Sequence, residues 1–355
     1  MTSLSSLSAN ICSPAEMSRS DIELWRNLND TNDALRTPFL TFPFVQAAAS
    51  TFYEVRVCTI SRDGRPVGFF PFQFSSPFHR ALGIGQRIAG ELSDYFGIVA
   101  EPSLVIEPRD LLHLSNLNAM MFSHLDETQN DFGLRGEAPE VGHRIEFPDG
   151  GAAYWKAKKQ SDKKFTSDTE RRERKLTQEC GPIRFTFREA DWLPALEHLI
   201  AAKREQYART RVADALQSER TVTLLRQLGA LDDAQCRGVL STLRAGDTWV
   251  ASHFGLLCDK TLHYWFPVYN PKLTAFAPGR LLLKAILDTT EEHGLERIDR
   301  GAGDTVAKRN FSTSQHHFFK GLWTRSNPVS FAYQVGLSAR WRLKSRLERA
   351  TVRES

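Results

Sequence analysis

Two stretches of the chain alternate apolar and polar positions with the period of a strand. Val55-Arg56-Val57-Cys58-Thr59-Ile60 runs out, Arg62-Asp63-Gly64-Arg65 turns, and residues 67–74 return, which predicts an antiparallel hairpin. Residues 248–258, a turn at Asp259-Lys260 and residues 261–269 predict a second one. Helical spacing marks 21–30 around Leu24-Trp25, an aromatic entry at Thr37-Pro38-Phe39-Leu40 leading toward Ala49, then 111–125, 192–207 and 281–292, the last stopped by Gly294. Residues 87–98 predict a further strand with a turn at Gly90, Ile183-Arg184-Phe185-Thr186-Phe187 another, and Ile298-Asp299 a short one before the turn Gly301-Ala302-Gly303-Asp304. Two units of hairpin plus helix imply an α/β (α+β) chain: tandem lobes, each a mixed, mostly antiparallel sheet flanked by helices.

Composition narrows the class. The chain has 355 residues, 41% hydrophobic and 25% charged, the balance of a soluble globular protein of about two domains. A net charge of +4 is only mildly basic, so double-stranded nucleic acid is not an expected partner. The first residues lack an apolar signal core and no run is long enough to cross a bilayer, which predicts a cytoplasmic location. Cys12, Cys58, Cys180, Cys236 and Cys258 are scattered and odd in number, without metal-ligand spacing, so neither a disulfide framework nor a metal is expected. The predicted division is 1–150 for the first lobe, 151–180 for a basic helical connector, 181–335 for the second lobe and 336–355 for a basic tail. That tail carries Arg340, Arg342, Lys344, Arg346, Arg349 and Arg353 around Trp341, Leu343 and Leu347, a pattern that suits an anionic membrane surface or a cyclic dinucleotide as well as a solvated terminus.

The most informative stretch joins the strand Leu262-His263-Tyr264-Trp265-Phe266, the turn Ala277-Pro278-Gly279-Arg280 and the helix after it. A Pro-Gly pair before a helix is usually only a turn. A helix start also presents unpaired N–H groups with the positive end of the helix dipole behind them, an arrangement that binds phosphate. Tyr269-Asn270-Pro271, Phe276-Ala277-Pro278-Gly279-Arg280-Leu281-Leu282-Leu283, Glu292-His293-Gly294-Leu295, Ile298-Asp299-Arg300-Gly301-Ala302-Gly303-Asp304 and Ala307-Lys308-Arg309-Asn310-Phe311 resemble the GNAT acyltransferase branch associated with cellulose and other exopolysaccharide synthesis. That branch is similar to the FemABX aminoacyltransferases. Fainter likeness covers Asp63-Gly64-Arg65-Pro66-Val67-Gly68-Phe69-Phe70-Pro71-Phe72 and Ser93-Asp94-Tyr95 in the first half. The resemblance implies two GNAT-like lobes, with the second holding acetyl-CoA or another acyl-CoA as co-substrate, and a sugar or polysaccharide precursor as acceptor. It implies that Pro278, Gly279, Arg280, Leu281 and Leu282 hold the diphosphate, that Asp94 and Tyr95 face the acceptor, and that Lys164 and Arg171 of the basic connector face an anionic substrate or the phosphates. It also implies peripheral association with the inner membrane, where polysaccharide export machines sit.

A thioester is already activated, so transfer needs an oriented amine or hydroxyl, a proton acceptor and stabilisation of the oxyanion, and no covalent nucleophile. The sequence has no Gly-x-Ser-x-Gly elbow. Candidates for acid and base are Asp299, His263, Tyr264 and His253, although a strand histidine is more often structural. Asp304 reads as an N-cap or a substrate ligand, and Lys308 as its i,i+4 partner or a contact for a sugar carboxylate or phosphate. The usual GNAT glycine-rich signature is reduced here to Pro-Gly-Arg. That keeps a FemABX-like aminoacyl or peptidyl transferase as one alternative, and a non-catalytic module binding a polysaccharide-synthesis partner or signalling nucleotide as another.

Overall fold

The computed structural model describes residues 7–336, so the basic tail predicted beyond them lies outside the described residues. Chain order in the first lobe is β1 (Leu7–Cys12), α1 (Arg19–Thr31), α2 (Phe42–Ala49), β2 (Val55–Arg62), β3 (Arg65–Gln73), α3 (Pro77–Ala81), β4 (Ile84–Gln86), β5 (Val99–Ala100), α4 (Pro108–Leu114), β6 (Ala119–Asp126) and β7 (Glu137–Glu146). Two helices, α5 (Gly151–Ser161) and α6 (Lys163–Cys180), form the connector. The second lobe follows with β8 (Ile183–Thr186), α7 (Trp192–Thr210), α8 (Glu219–Ala230), β9 (Asp232–Asp233), β10 (Cys236–Ala245), β11 (Thr248–Cys258), β12 (Thr261–Tyr269), α9 (Pro278–Asp288), β13 (Arg297–Ala302), α10 (Val306–Arg309) and β14 (Ser314–Thr324).

The strands form one sheet in the order β1-β2-β3-β4-β6-β14-β7-β13-β12-β11-β10-β8, with β5 on β3 and β9 on β10. Both predicted hairpins are present. The first turns through Asp63 and Gly64, at φ 51 and 79, the left-handed pair that matches the twist of an antiparallel ribbon. The lobes meet where β7 pairs with β13. One departure from the predicted division is topological: β14 runs back into the first lobe and fills the gap between β6 and β7. The boundary at 181–335 therefore does not follow the hydrogen bonds. The helix predicted over 111–125 stops at Leu114, because Asn116 at φ 52 reverses the chain into β6. The strand predicted over 87–98 is a 3-10 turn, Gly90–Leu92, flanked by loop.

Among the strands of the described residues, β4–β6 and β12–β13 are the parallel pairs. The second of these pairs is short: Thr261, Leu262 and His263 meet Arg297, Ile298 and Asp299, and there the strands part. Beyond that point β13 stays on β7, through a register break between Asp299 and Ala302, while β12 continues on β11. Beneath the fork lies α9, whose Leu281, Leu282, Leu283, Ile286 and Leu287 are buried with Leu262 and Ile298. Each such side chain contributes about 1.5–3 kcal/mol on burial, so the helix is fixed by its apolar face.

Candidate functional site at the junction of the lobes

The last residues of the parallel pair, His263 and Asp299, face the first lobe. Asp299 Oδ1 accepts the Gly301 N–H at 2.7 Å, and Oδ2 accepts the Tyr95 hydroxyl and Arg144 Nε, the latter at 3.4 Å. Arg144 Nη2 donates to the Tyr95 hydroxyl at 3.1 Å. Nε2 of His263 lies 2.8 Å from Asp94 Oδ2, and Nδ1 lies 3.8 Å from Asp299 Oδ1 without a hydrogen-bond partner. Phe39 packs edge-on against the imidazole at 4.7 Å. Asp126 and His316 pair at 2.8 Å, and Arg144 lies 3.7 Å from Asp126. The first lobe thus supplies Asp94, Tyr95, Asp126 and Arg144, the second His263 and Asp299, and the returning β14 His316.

Charge explains the state of the buried groups. Burial alone would raise the Asp299 carboxyl, but His263, Arg144 and His316 hold it well below the usual carboxylate range. Asp94 follows the same pattern, with burial outweighed by its bond to His263. Burial, with the Asp299 charge second, pushes the Tyr95 hydroxyl far above its ordinary value, so it remains a donor. Gly301, at φ +62, lets the backbone approach: a Cβ there would sit 3.1 Å from Asp94 Oδ2. A cavity of about 220 Å³ opens on Tyr95, Arg144, His263 and Asp299.

On the other side of β12 lies the Pro278 turn. Pro278 has no N–H, and those of Arg280 and Leu281 return to the Ala277 carbonyl at 2.9 and 3.2 Å, leaving Gly279 as the free donor of the first turn. The predicted cradle of several amides over 278–282 is therefore corrected to one main-chain donor, and the Leu281 and Leu282 side chains are buried beneath it. Side chains supply the charge instead. Asp168 on α6 pairs with Arg171 at 2.6 Å, Arg172 at 2.7 Å and Arg280 at 3.0 Å, and these contacts, Arg172 first, pull its carboxyl down to about 2. Three guanidiniums share one carboxylate at the positive end of α9, and the Arg280 guanidinium rests on the Phe165 ring at 4.5 Å. Lys164 is exposed two turns before Arg171 on the same stripe of α6. A diphosphate fits this chemistry, with Gly279 leaving open space beside it.

Four sequence candidates, Asp94, Tyr95, His263 and Asp299, come together in the cluster. Lys308 joins its edge, donating to the Gly301 carbonyl at 3.2 Å and to that of Ala302. It does not pair with Asp304, which accepts from His143 at 3.0 Å and Arg309 at 2.7 Å; the N-cap of α10 is Thr305. Two other candidates leave the site. His253 stacks face to face on Tyr264, centroids 4.3 Å apart, and burial pushes its imidazole down to about 3. Tyr264 is buried under the Arg300 guanidinium on the α9 side, and burial raises its hydroxyl. Sequence reading missed Arg144, Asp126 and His316. Their signal was a polar or charged side chain at an inward position of a strand, legible only once β6, β7 and β14 are known to be strands.

Among the described residues no group of side chains is arranged to hold a metal ion, and no helix is long and apolar enough to cross a membrane. No curated protein matches the sequence. The structure resembles FemX, with a TM-score of 0.55 at 10% identity over 83% of this chain and 93% of that one. It resembles the C-terminal domain of a putative lysylphosphatidylglycerol synthetase from Agrobacterium fabrum, with a TM-score of 0.51 at 10% identity over 89% and 95%. A tandem GNAT protein from the clavulanic acid biosynthesis pathway gives 0.50 at 9% identity over 90% and 100%. At such identities the likeness shows the fold, a mixed sheet of tandem GNAT type. Residues 163–309, which hold α6, α9, the forked strands, His263 and Asp299, match the family described as an acetyltransferase (GNAT) domain.

Proposed function

We propose that the protein transfers an acyl group from a coenzyme A thioester to an amino or hydroxyl group at the junction of its lobes. The observation that carries this reading is the meeting of Arg171, Arg172 and Arg280 on Asp168 at the start of α9, inside the GNAT domain. Those arginines and the Gly279 N–H would hold the phosphates, with Lys164 on the same stripe. Once bound, the thioester supplies an activated carbonyl whose C–S bond is exchanged for C–N or C–O. His263 accepts the acceptor's proton at Nδ1, while Asp94 keeps the other ring proton on Nε2 and so fixes the tautomer. Asp299, held ionised by Tyr95 and Arg144, stabilises the charge that the ring gains. The buried thiols of Cys58 and Cys258, both pushed up to about 12 by burial, are poor nucleophiles, which fits direct transfer.

Acetyl-CoA as donor and a sugar or polysaccharide precursor as acceptor are the finer parts of the proposal, and they rest on the sequence resemblance. Titration calorimetry with acetyl-CoA tests the donor. Saturable binding is expected, weakened roughly tenfold or more in Arg280→Gln, since a charge-assisted contact contributes about 1.5–3 kcal/mol. Absence of binding, or equal binding by the variant, overturns the donor site; transfer from an aminoacyl-tRNA instead would favour the FemABX-like alternative.

A further inference from the structure

The acyltransferase reading does not say which acceptor occupies the cavity of about 220 Å³ that opens on the polar cluster beside residues 33–38. The buried polar cluster lines it together with Thr37 and Thr261, and the part-exposed Arg36 and Arg297 line it toward solvent. Among the residues lining it, the Thr37 hydroxyl, in a residue 6% exposed, and His263 Nδ1, in a residue 1% exposed, are buried without a hydrogen-bond partner, as is Arg297 Nε. A buried group left without a hydrogen bond costs about 1–3 kcal/mol. Such groups lining one cavity mark a place where a ligand supplies what the protein does not.

The polarity of that ligand follows from its neighbours. With the Nε2 proton given to Asp94, Nδ1 of His263 is an acceptor, and it faces a second acceptor, Asp299 Oδ1, across 3.8 Å. A nitrogen bearing protons, set between them, donates to both. Arg297, part exposed, is ion-paired with Glu146 at 3.3 Å through Nε, and among the described residues its guanidinium makes no hydrogen bond. It forms a planar fork suited to a carboxylate. Arg36 is occupied by Asp33 at 2.8 Å and by the Asp30 carbonyl, so it shapes the rim rather than offering a free fork. Acceptors within and a guanidinium fork outside describe a molecule with an amine at one end and a carboxylate at the other.

Resting on the acyltransferase reading, we propose that the acceptor is a small amino acid or similar amine-bearing carboxylate. Its nitrogen sits between His263 Nδ1 and Asp299, its carboxylate lies on Arg297, and the Thr37 hydroxyl bonds its polar middle. The volume admits a molecule of amino-acid size, which stands here in place of the sugar or polysaccharide precursor that the sequence resemblance suggests. His263 both recognises the amine and takes its proton, so specificity and proton transfer share one atom.

The test is binding to the full-length protein with no acyl donor present. Calorimetric titrations use small amino acids from glycine to leucine and β-alanine, with acetate, methylamine and inorganic phosphate as single-function probes. At least one amino acid is expected to saturate the protein at least tenfold more tightly than acetate, methylamine or phosphate. Arg297→Gln is expected to weaken it by tenfold or more and Thr37→Val by several-fold, with acetyl-CoA binding by both variants unchanged. No saturable amino-acid binding, or binding indifferent to both substitutions, overturns the acceptor site, as does phosphate or acetate binding equally well. Amino-acid binding without acetyl-CoA binding would leave the site standing and remove the donor reading, so the two failures are distinct.

Discussion

His253 and His263 sit on neighbouring strands of the same hairpin and are both almost wholly buried, yet they live in opposite environments. His253 lies against the Tyr264 ring, and neither of its nitrogens has a partner. His263 points to the opposite side of β12 from Tyr264, where Asp94, Tyr95 and Asp299 converge from two lobes. In the first place desolvation dominates and keeps the ring neutral. In the second, carboxylates fix the tautomer and surround the ring with charge. A histidine in a strand thus becomes a candidate base through what lies across the sheet from it, not through its own sequence context.

The largest expected effect breaks that comparison directly. His263→Gln should lower kcat for acyl transfer by about 10²–10⁴-fold, the usual worth of a positioned base, while His253→Phe, which keeps the stack on Tyr264, should leave kcat within about twofold. Equal losses in the two variants would end the distinction. A smaller effect is expected for Asp94→Asn, whose amide no longer secures the Nε2 proton: kcat should fall by about 10–10²-fold with little change in KM, and the pH profile should shift. An unchanged profile would detach Asp94 from the ring's function.

The smallest effect concerns stability. The folded value for His253, about 3, lies below the ordinary 6.5, so the unfolded chain binds the proton that the buried ring refuses. Stability is fully present above about pH 6.5 and falls as the pH drops toward 3. At about 1.4 kcal/mol per pKa unit the full loss is on the order of 5 kcal/mol. His253→Phe should flatten this part of the curve in denaturant melts at pH 7 and pH 4. An identical acid slope in the variant would assign the effect to other groups.

Much of the fold was legible because its signals are local. The hairpins at 55–73 and 248–269 and the helix after Pro278 follow from alternation, turn residues and helical spacing. The strands β6, β7 and β14 were not legible: β7 is rich in glutamate with a glycine at 142, and β14 pairs Gln315, His316 and His317 with apolar neighbours, so neither alternates cleanly. Their partners lie far along the chain, where no window of sequence sees them. The missed site residues Asp126, Arg144 and His316 belong to these three strands.

By itself the sequence determined which residues could carry chemistry, and where short-range patterning places strands and helices. Local preference is encoded within a few residues through backbone sterics and side-chain period. Tertiary structure decided which of those residues meet. It brought Asp94 to His263 and Tyr95 to Asp299, pairs separated by 169 and 204 positions, and it left His253 and Tyr264 stacked upon each other instead. It also spent the amides of Arg280 and Leu281 on the Ala277 carbonyl, and gathered three arginines from two helices onto Asp168. The reason is that burial, strand pairing between lobes and the balance of charge around a desolvated group are properties of the packed chain, and a linear pattern does not contain them.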